Sequence, residues 1–462
     1  MKSENTFSLE VGNHKLSCLH FTGIMGSGMS ALAQYLAWSG ATVTGSDRIA
    51  FEEELKETRG KLERCGCAFF PQDGTGVHDR TDAVVVSTAI EEDNPDIAAA
   101  RTRNMPVLHR SDILAAIVAG HRTIAVCGTS GKSTVTALVF EILHACGRDP
   151  SLLTGANLTR LEGKGLLGNA YKGTSGALVI EADESDGTLT KYRAETAVFL
   201  NISKDHQPVE KTLDLFREVA DRTPVVFKNA DDPGLAAVRA DQIFGLSGAA
   251  DWKPQTVHSL TPRVRFTVGK VDFELPAPGA HNLSNCLAAV AVCAADGLTL
   301  EQIAGAMREF KGISRRFSVS RTARGIVVID DYAHNPEKIK AALLTARDFG
   351  RRVLAVFQPH GFGPTRFLKD ELIAVFSDLT RRNDEVYLLP IYYAGGTVKK
   401  DISSDILADA VRKNGAKAFA PQSRRELLSL LQARVKPEDV VLLMGARDPT
   451  LSVLAKEMER DL

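Results

Sequence analysis

The sequence lacks several features that would place a protein in a special class. Its 462 residues contain no uninterrupted run of about 18 apolar residues, so no transmembrane helix is expected. The first residues, MKSENTFSLEVGNHKL, lack the apolar segment of a signal peptide. Neither sign of charge dominates, because 56 Lys and Arg oppose 57 Asp and Glu. We therefore expect neither nucleic acid nor a membrane as the main partner.

The cysteines form no disulfide or zinc pattern. Their count of seven is odd, and Cys65 and Cys67 are too close together for the CxxC spacing of a zinc site. The sequence also has no internal repeat and no low-complexity segment. We expect a reducing, cytoplasmic location, and the chain length predicts about three domains at roughly 150 residues each.

The strongest functional signal is VCGTSGKST at 126–134. An apolar run, 123–126, precedes it, and a helix-like run follows to about Cys146. A strand, a glycine loop, Lys-Ser-Thr and a helix form the arrangement that binds a nucleoside triphosphate, since backbone N–H groups and the helix dipole favour phosphate. Lys132 is expected to reach the β- and γ-phosphates and Ser133 to face Mg²⁺. Val126 replaces the usual first glycine, and an ordinary turn before a surface helix is the alternative.

The first third predicts the opening of a doubly wound nucleotide-binding unit. A strand at 16–22 leads into GIMGSG at 23–28, a helix to Trp38 and a strand at 41–45. Asp47 then stands near the position at which an acidic residue of such units contacts a ribose. Met25 replaces the second glycine of G-x-G-x-x-G, which weakens a dinucleotide prediction, and a turn without a ligand is the alternative. A strand at 82–87 brings Ser87 and Thr88 to the sheet edge where ligands collect.

Two predicted strands in the middle of the chain end in polar residues. The strand 177–180 is followed by EADESD at 181–186, and carboxylates in this position suit a hard cation with oxygen ligands. The strand 197–202 leads to SKDH, in which His206 is expected to complete a metal site. The alternatives are a solvated acidic turn and a structural histidine.

A hairpin and a helix follow. Residues 263–275 alternate apolar and polar side chains around Gly269-Lys270, which predicts a hairpin. The sequence GAHNLSN at 279–285 then enters an alanine-rich helix. Asn282 and Asn285 share a helical face and could pair with the edge of a base; helix capping by Asn282 is the alternative.

The last third predicts a second open α/β sheet. Strands at 326–329, 353–357, 385–389 and 440–444 alternate with helical segments. Two loops stand at strand ends, DDYAHNP at 330–336 and QPHGFGPTR at 358–366. A glycine-rich loop that ends in arginine can hold a carboxylate by a bidentate fork, which makes Arg366 a candidate.

Together these motifs resemble the Mur ligase family, which builds the peptide stem of bacterial cell-wall precursors. The resemblance spans nearly the whole chain, in the family's order, through 20–23, 46–47, 86–95, 128–134, 181–186, 205–206, 281–285, 315–317, 331–336 and 357–360. It implies an α/β fold of three domains: an N-terminal Rossmann-like UDP-sugar domain (1–120), a central P-loop ATPase-like domain with a mostly parallel sheet (121–312) and a C-terminal Rossmann-like amino-acid-binding domain (313–462).

The resemblance also implies roles for individual residues. Lys132, Glu181 and His206 would be catalytic, and Ser133 would join the last two in binding metal. The residues implied to contact ATP are Gly128, Thr129, Ser130, Gly131, Lys132, Ser133, Thr134, His281, Asn282, Asn285, Arg316, Asp331 and His334. The residues implied to contact the other substrates are Gly26, Ser27, Gly28, Asp47, Ser87, Thr88, His360 and Arg366.

The implied reaction is ATP-dependent amide-bond formation in peptidoglycan precursor synthesis. It joins L-alanine or a related amino acid to the carboxylate of UDP-N-acetylmuramate through an acyl phosphate, with ATP and Mg²⁺ as cofactors and a monomer or weak homodimer as the enzyme. The loop 360–366 and Arg447 depart from the family pattern. Met25 resembles the sequence of the family member that attaches a tripeptide. Addition of a tripeptide or another amino acid, and a catalytically silent nucleotide-binding homologue, therefore stay open. A nicotinamide dehydrogenase is the alternative from another class; Met25 and the lack of a matched hydride-transfer site count against it.

Overall fold

Repeated strand–helix units build the computed structural model, which describes residues 7–184, 187–203, 208–246, 249–379, 383–393 and 399–462. Contacts divide the chain into two compact units. The first comprises Met1–Pro276 and Ala280–Lys311, and the second comprises Ala277–Gly279 and Gly312–Leu462. The predicted α/β class with mostly parallel sheets is confirmed in both units.

The first unit opens with a short antiparallel hairpin and a parallel sheet of order β5-β4-β3-β6-β7. Its elements are β1 (Leu9–Val11), β2 (His14–Leu16), β3 (Cys18–Thr22), α1 (Ser27–Trp38), β4 (Thr42–Ser46), α2 (Lys56–Arg64), β5 (Cys67–Phe70), β6 (Ala83–Val86), α3 (Pro95–Thr102), β7 (Val107–His109) and α4 (Arg110–Ala119). The predicted strand 16–22 is therefore two strands. They part at Ser17, because the backbone N–H groups of Ser17 and Cys18 donate to the carboxylate of Asp82 instead.

The same unit contains a second sheet of order β10-β9-β11-β8-β12-β13-β14, in which only the β10–β9 pair is antiparallel among the described strands. Its elements are β8 (Arg122–Cys127), α5 (Lys132–Ala145), β9 (Ser151–Leu153), α6 (Thr159–Glu162), β10 (Ala170–Tyr171), β11 (Ala177–Glu181), β12 (Thr196–Phe199), α7 (Val209–Arg222), β13 (Val225–Asn229) and β14 (Gln242–Phe244). An antiparallel sheet and two helices complete the unit: β15 (Thr256–Ser259), β16 (Val264–Val268), β17 (Val271–Leu275), α8 (Ala280–Ala295) and α9 (Leu300–Arg308). The hairpin predicted around Gly269 is confirmed.

The second unit is built on a sheet of order β18-β19-β23-β20-β21-β22, with an antiparallel edge strand β18. Its elements are β18 (Ser318–Arg321), β19 (Val327–Asp331), α10 (Pro336–Ala346), β20 (Arg352–Gln358), α11 (Phe362–Phe367), α12 (Lys369–Leu379), β21 (Glu385–Leu388), α13 (Ser404–Lys413), β22 (Ala418–Phe419), α14 (Arg424–Arg434), β23 (Asp439–Gly445) and α15 (Leu451–Asp461). The four strands predicted here are all present, within one or two residues of their predicted ends.

Burial explains why the parallel strands read as continuous apolar runs. In β23, Val440 and Leu442 pack into a core on one face of the sheet, and Val441 and Leu443 pack into a second core on the other. A strand covered on both faces needs apolar side chains at every position. In the first unit, one apolar core extends from Phe21 in β3 to Phe199 in β12, and helix α1 contacts strands of both main sheets.

The described residues contain no helix with both the length and the hydropathy to cross a membrane. All seven cysteines are free thiols.

Candidate active site

The phosphate-loop prediction describes the junction of β8 and α5. Gly131 precedes the first residue of α5 with φ +87°, and a Cβ at this position would stand 2.6 Å from Oδ1 of Asn285. Both the left-handed backbone and this close approach require glycine. Most of α5 is buried, so the alternative of a turn before a surface helix is wrong.

Asn201 holds this loop from the end of the neighbouring strand β12. Its Oδ1 accepts from the hydroxyl of Thr129 at 2.9 Å and from the backbone N–H of Ser130 at 2.8 Å, and its Nδ2 donates to the carbonyl of Ser130 at 2.9 Å. The loop is therefore fixed by side-chain hydrogen bonds before any ligand arrives. Such a preorganised loop loses little conformational freedom when a phosphate binds.

Lys132 is the first residue of α5 and lies among carboxylates. Its Nζ donates to Glu184 Oε2 at 2.8 Å and to the carbonyl of Gly128 at 2.6 Å. Burial alone favours a neutral lysine, but Glu184, Asp183 and Glu181 outweigh it and raise the pKa of Lys132 above 10.5. Lys132 therefore carries a positive charge in a largely buried place, as neutralisation of a transferring phosphate requires.

Ser133 and Glu181 form an oxygen-rich cluster beside the loop, because β8 and β11 are adjacent parallel strands. The Ser133 hydroxyl lies 3.0 and 3.1 Å from the two oxygens of the Glu181 carboxylate. Oε2 also accepts from the hydroxyl of Thr154 at 2.8 Å and from the backbone N–H of Gly155 at 3.0 Å. Oxygen donors of this kind are the ligands that Mg²⁺ prefers. Because Glu184 is buried and Glu181 is half-buried, the alternative of a solvated acidic turn is wrong for these two carboxylates, whereas the Asp183 side chain is 42% exposed.

The third predicted metal ligand cannot be described at this site. His206, together with Asp205, Ser185 and Asp186 of the two polar loops, lies outside the described residues. Within the described ranges, no group of three or more His, Cys, Asp or Glu side chains is arranged to hold a metal ion. Of the three predicted metal ligands, the structure therefore describes Ser133 and Glu181, whose side chains are in contact.

The predicted base-binding asparagines lie next to the phosphate loop. Asn282 and Asn285 are buried in α8, and Asn285 Nδ2 donates to Asn282 Oδ1 at 3.1 Å. The helix begins at Ala280, so Asn282 lies inside it and does not cap it. His281, on the exposed side of the same turn, precedes this pair. Asn285 thus lies against Gly131 of the loop, and Asn282 is hydrogen-bonded to it.

The predicted sugar-binding turn lies at the start of α1. Gly26 precedes the helix, and Ser27 and Gly28 are its first residues. Asp47 does not project freely: its Oδ2 accepts from the backbone N–H of Met25 at 3.0 Å, and burial raises the pKa of its carboxyl group. Asp47 therefore fixes the shape of the turn, a role that its position in the sequence did not reveal.

Other predicted and unpredicted groups lie around this turn. Ser87 and the exposed Thr88 follow β6 at the same carboxyl edge of the sheet as the turn after β3. The Arg110 guanidinium, which was not predicted, would stand 3.0 Å from a Cβ at Gly28 and lies 3.8 Å from the Asp183 carboxylate. A positive group at a helix N-terminus suits a diphosphate.

In the second unit, the loop after β19 is held by its own aspartate. The Asp331 carboxylate accepts from the backbone N–H groups of Phe317 and Ala333, both at 2.8 Å. The Arg316 guanidinium lies 4.9 Å from the centre of the Tyr332 ring. The His334 ring meets the rings of Tyr332 and His360, each at 5.6 Å between centroids. The structure thus brings together four of the five residues predicted in this unit.

Arg366, the fifth, is held elsewhere. It lies in α11 and forms an ion pair with Asp401, and its Nη2 also donates to the carbonyl of Lys399 at 2.9 Å. Both side chains are partly exposed, with 44% and 35% of their surface accessible. The guanidinium is therefore available only if it leaves a carboxylate partner.

Comparisons with known proteins match this arrangement along most of the chain. Family descriptions match in order: the Mur ligase family catalytic domain at 19–122, the Mur ligase middle domain at 126–293, and the Mur ligase glutamate ligase domain at 315–447. The UDP-N-acetylmuramate–L-alanine ligase of Gloeobacter violaceus is 36% identical over 443 residues, covering 92% of each chain. The chain belongs to the Mur ligase family. As a Mur ligase, it is an ATP-dependent ligase.

Solved structures agree with this membership. The UDP-N-acetylmuramate–alanine ligase of Thermotoga maritima superposes with a TM-score of 0.78 at 28% identity, covering 95% of this Mur ligase and 97% of that chain. The murein peptide ligase of Psychrobacter arcticus has the same fold, with a TM-score of 0.70 at 21% identity.

Sequence reasoning did not find several residues of this Mur ligase site. Glu184 was one of several acids in a row, and nothing in the sequence marked it as the partner of Lys132. Asn201 falls inside the predicted strand 197–202, but β12 ends at Phe199, so the predicted strand end is wrong and Asn201 lies in the loop that follows. Thr154 follows β9, a strand of three residues that is too short for a periodic pattern.

Proposed function

We propose that this Mur ligase joins L-alanine, or a related amino acid, to the carboxylate of UDP-N-acetylmuramate with consumption of ATP, in peptidoglycan precursor synthesis. The substrates are those named for its 36%-identical relatives. Free thiols at all seven cysteines support a reducing, cytoplasmic location. We assign sugar binding to 1–120, ATP binding to 121–312 and amino-acid binding to 313–462, in a monomer or weak homodimer.

One observation carries the proposal. Gly155 lies between the turn assigned to the sugar nucleotide and the acid assigned to the metal: its Cβ position is 3.9 Å from Ser27 Oγ and 3.5 Å from Glu181 Oε2. A sugar nucleotide on the α1 turn and a triphosphate on the loop before α5 would therefore approach the same point. This juxtaposition supports a reaction between the two ligands, as bringing reactants together can lower a barrier by roughly 7–11 kcal/mol.

The proposed chemistry follows from the low reactivity of a carboxylate. A carboxylate oxygen of the sugar attacks the γ-phosphorus of ATP, ADP leaves, and an acyl phosphate results. The amine nitrogen of the amino acid then attacks the acyl carbon, and the tetrahedral intermediate expels phosphate. Lys132 is suited to hold the γ-phosphate during the first step, because its ammonium group is charged and largely buried, and it already contacts the loop carbonyl of Gly128.

The oxygen donors of the site fit a magnesium ion. Ser133, Glu181 and His206 are the residues that we propose to hold it, and a bound ion would neutralise charge on the phosphate oxygens. Thr154 and Gly155 orient the Glu181 carboxylate by hydrogen bonds. In the C-terminal domain, we assign ATP contacts to Arg316, Asp331 and His334, and contacts with the amino acid to His360 and Arg366.

The experiment is a phosphate-release assay with ATP, Mg²⁺ and UDP-N-acetylmuramate against a panel of amino acids and the stem tripeptide. We expect release that requires the sugar nucleotide and is fastest with L-alanine. Mass spectrometry of the product identifies the new amide bond. Release that is fastest with the tripeptide or with another amino acid would assign that amine instead.

Two outcomes would contradict the proposed reaction. No release with any amine, although ATP still binds, would favour a silent nucleotide-binding homologue. Binding of a nicotinamide dinucleotide in place of ATP would favour a dehydrogenase. A variant with Glu181→Gln serves as the control, because it keeps the volume of the side chain and should stop turnover.

A further inference from the structure

Asn169 is a buried residue that none of the assigned roles uses. It is 1% exposed, and its side-chain amide is fully hydrogen-bonded to α1. Nδ2 donates to the carbonyl of Ser27 at 2.8 Å and to the hydroxyl of Ser30 at 2.9 Å, and Oδ1 accepts from Gln34 Nε2 at 2.8 Å. Both amide protons are thus donated to the first turn of α1, the helix whose N-terminus is assigned to the sugar nucleotide.

The main chain of Asn169 is hydrogen-bonded toward the site that we assign to ATP. Its carbonyl accepts from the backbone N–H of Thr154 at 3.0 Å, and the Thr154 hydroxyl donates to Glu181 Oε2 at 2.8 Å. Glu181 in turn contacts the hydroxyl of Ser133 beside the phosphate loop. Hydrogen bonds, joined through the covalent bonds of Asn169 and Thr154, therefore connect the carbonyl of Ser27 to the proposed magnesium carboxylate.

Burial makes the middle of this chain of hydrogen bonds stiff. Asn169, Ser30 and Gln34 are each at most 1% exposed and Thr154 is 4% exposed, so water cannot replace a bond that lengthens in this part. A buried donor or acceptor left without a partner costs about 1–3 kcal/mol. A small shift of the α1 turn is therefore passed on to Thr154 and Glu181 in preference to being absorbed by breaking a bond.

We propose that Asn169 is a positioning residue that couples the two sites, so that a sugar nucleotide on the α1 turn strengthens binding of ATP at the phosphate loop. This proposal rests on the proposed function, which supplies the two ligands. Coupling between two binding sites is reciprocal, so each ligand must strengthen the other by the same factor.

The test is calorimetric titration with adenylyl imidodiphosphate and Mg²⁺, in the absence and presence of saturating UDP-N-acetylmuramate. We expect the wild-type Kd for the nucleotide to fall by about tenfold when the sugar nucleotide is present, within the usual range of coupling. In Asn169→Ala, both ligands should still bind, but the two Kd values should agree to within about twofold.

Gln34→Met provides the matched control. It removes the bond to Asn169 Oδ1 and leaves both bonds donated by Nδ2 intact, so it should lower the melting temperature while keeping the coupling. If Asn169 only stabilises the packing of α1, Gln34→Met and Asn169→Ala would change stability and coupling in parallel. The proposal would then be wrong.

Two further variants keep the test decisive if Asn169→Ala does not fold. Asn169→Asp keeps the volume and loses both donated protons, and Thr154→Val breaks the chain at its other end while keeping the backbone N–H. Each should abolish the coupling. Equal nucleotide Kd values in wild-type protein, or tenfold coupling in these variants, overturns the proposal. Failure of wild-type protein to bind UDP-N-acetylmuramate instead contradicts the proposed function.

Discussion

The phosphate-loop end of the first unit and helix α11 of the second unit hold their candidate functional side chains in opposite ways. Lys132 is 12% exposed and pairs with Glu184, which is 5% exposed. Arg366 is 44% exposed and pairs with Asp401, which is 35% exposed. A buried pair costs much to break, whereas an exposed pair contributes only about 0–1 kcal/mol. The first region is therefore built for a fixed task, and the second can change partners at little cost.

The largest effect is expected from Lys132→Met. Loss of the buried ammonium group removes the charge that we propose to face the γ-phosphate, and turnover should fall by about a thousandfold or more, as for the loss of one strong transition-state donor. The measurement is phosphate release at saturating substrates.

Stability must be separated from chemistry in this variant, because Lys132→Met leaves Glu184 buried without its partner. The double variant Lys132→Met/Glu184→Gln should regain most of the lost melting temperature and none of the turnover. Recovery of turnover in the double variant would contradict the role of Lys132. Lys228→Met is the control: this lysine of β13 donates to three backbone carbonyls in the segment between β13 and β14, so its loss should lower stability only.

The second effect comes from Gly131→Ala, with Gly147→Ala as its match at the other end of α5. Both glycines have positive φ, +87° and +79°, so both variants carry similar backbone strain. Only Gly131 is crowded, by Asn285 at 2.6 Å, while nothing lies within 4 Å of a Cβ at Gly147. Gly131→Ala should weaken nucleotide binding by about a hundredfold, and Gly147→Ala should lower stability alone.

Calorimetric titration with adenylyl imidodiphosphate measures this difference. If the two variants bind nucleotide equally well, the contact between the loop and α8 has no part in binding. The contrast between the phosphate loop and the region of Arg366 would then not hold, since the phosphate loop would tolerate a change of shape.

The contrast between the two regions also explains what the sequence could predict. Strand ends were predictable because runs buried on both faces are apolar throughout, and the loops that follow them bear the polar residues. That Ser133 would meet Glu181 followed from parallel strands ending at one edge. The pairing of Arg366 with Asp401 did not follow, because it joins residues 35 apart in the sequence, with α12 and β21 between them. The links through Asn169 were hidden in a loop before a strand of two residues.

A smaller effect is expected at the exposed pair. Arg366→Ala should raise the KM for the amino acid about tenfold and leave the KM for ATP nearly unchanged, because a guanidinium–carboxylate fork is lost. Asp401→Asn should lower the KM for the amino acid, since it releases Arg366 from its present partner. Steady-state kinetics with each substrate varied in turn provides both values.

Arg412→Ala is the control for this pair, because Arg412 forms a similar exposed ion pair with Asp409 on α13. It should change neither KM. If Arg366→Ala raises the KM for ATP more than that for the amino acid, or if Asp401→Asn and Arg366→Ala act in the same direction, the assignment of this loop is wrong.

The smallest effect on turnover is expected from Asp330→Asn, which tests whether the second unit also has a buried charge that costs stability. Burial raises the pKa of Asp330 to about 6, although Arg315 lowers it in part. A raised carboxyl pKa means that the folded state prefers the proton, so this contribution to stability is complete below about pH 4 and is lost as the pH rises through about 6. A shift of about two units corresponds to about 3 kcal/mol.

Hydrogen exchange of peptides from β19, corrected for the intrinsic effect of pH, measures this loss. Between pH 5 and pH 8, protection should fall in the wild type and stay nearly constant in Asp330→Asn, which should therefore be the better protected protein at pH 8. Asp348→Asn, at an exposed carboxylate of the same unit, should follow the wild type. A constant difference between Asp330→Asn and the wild type at all pH values would mean that the ion pair with Arg315 stays charged throughout, and that this buried carboxylate resembles the fixed pair of the phosphate loop.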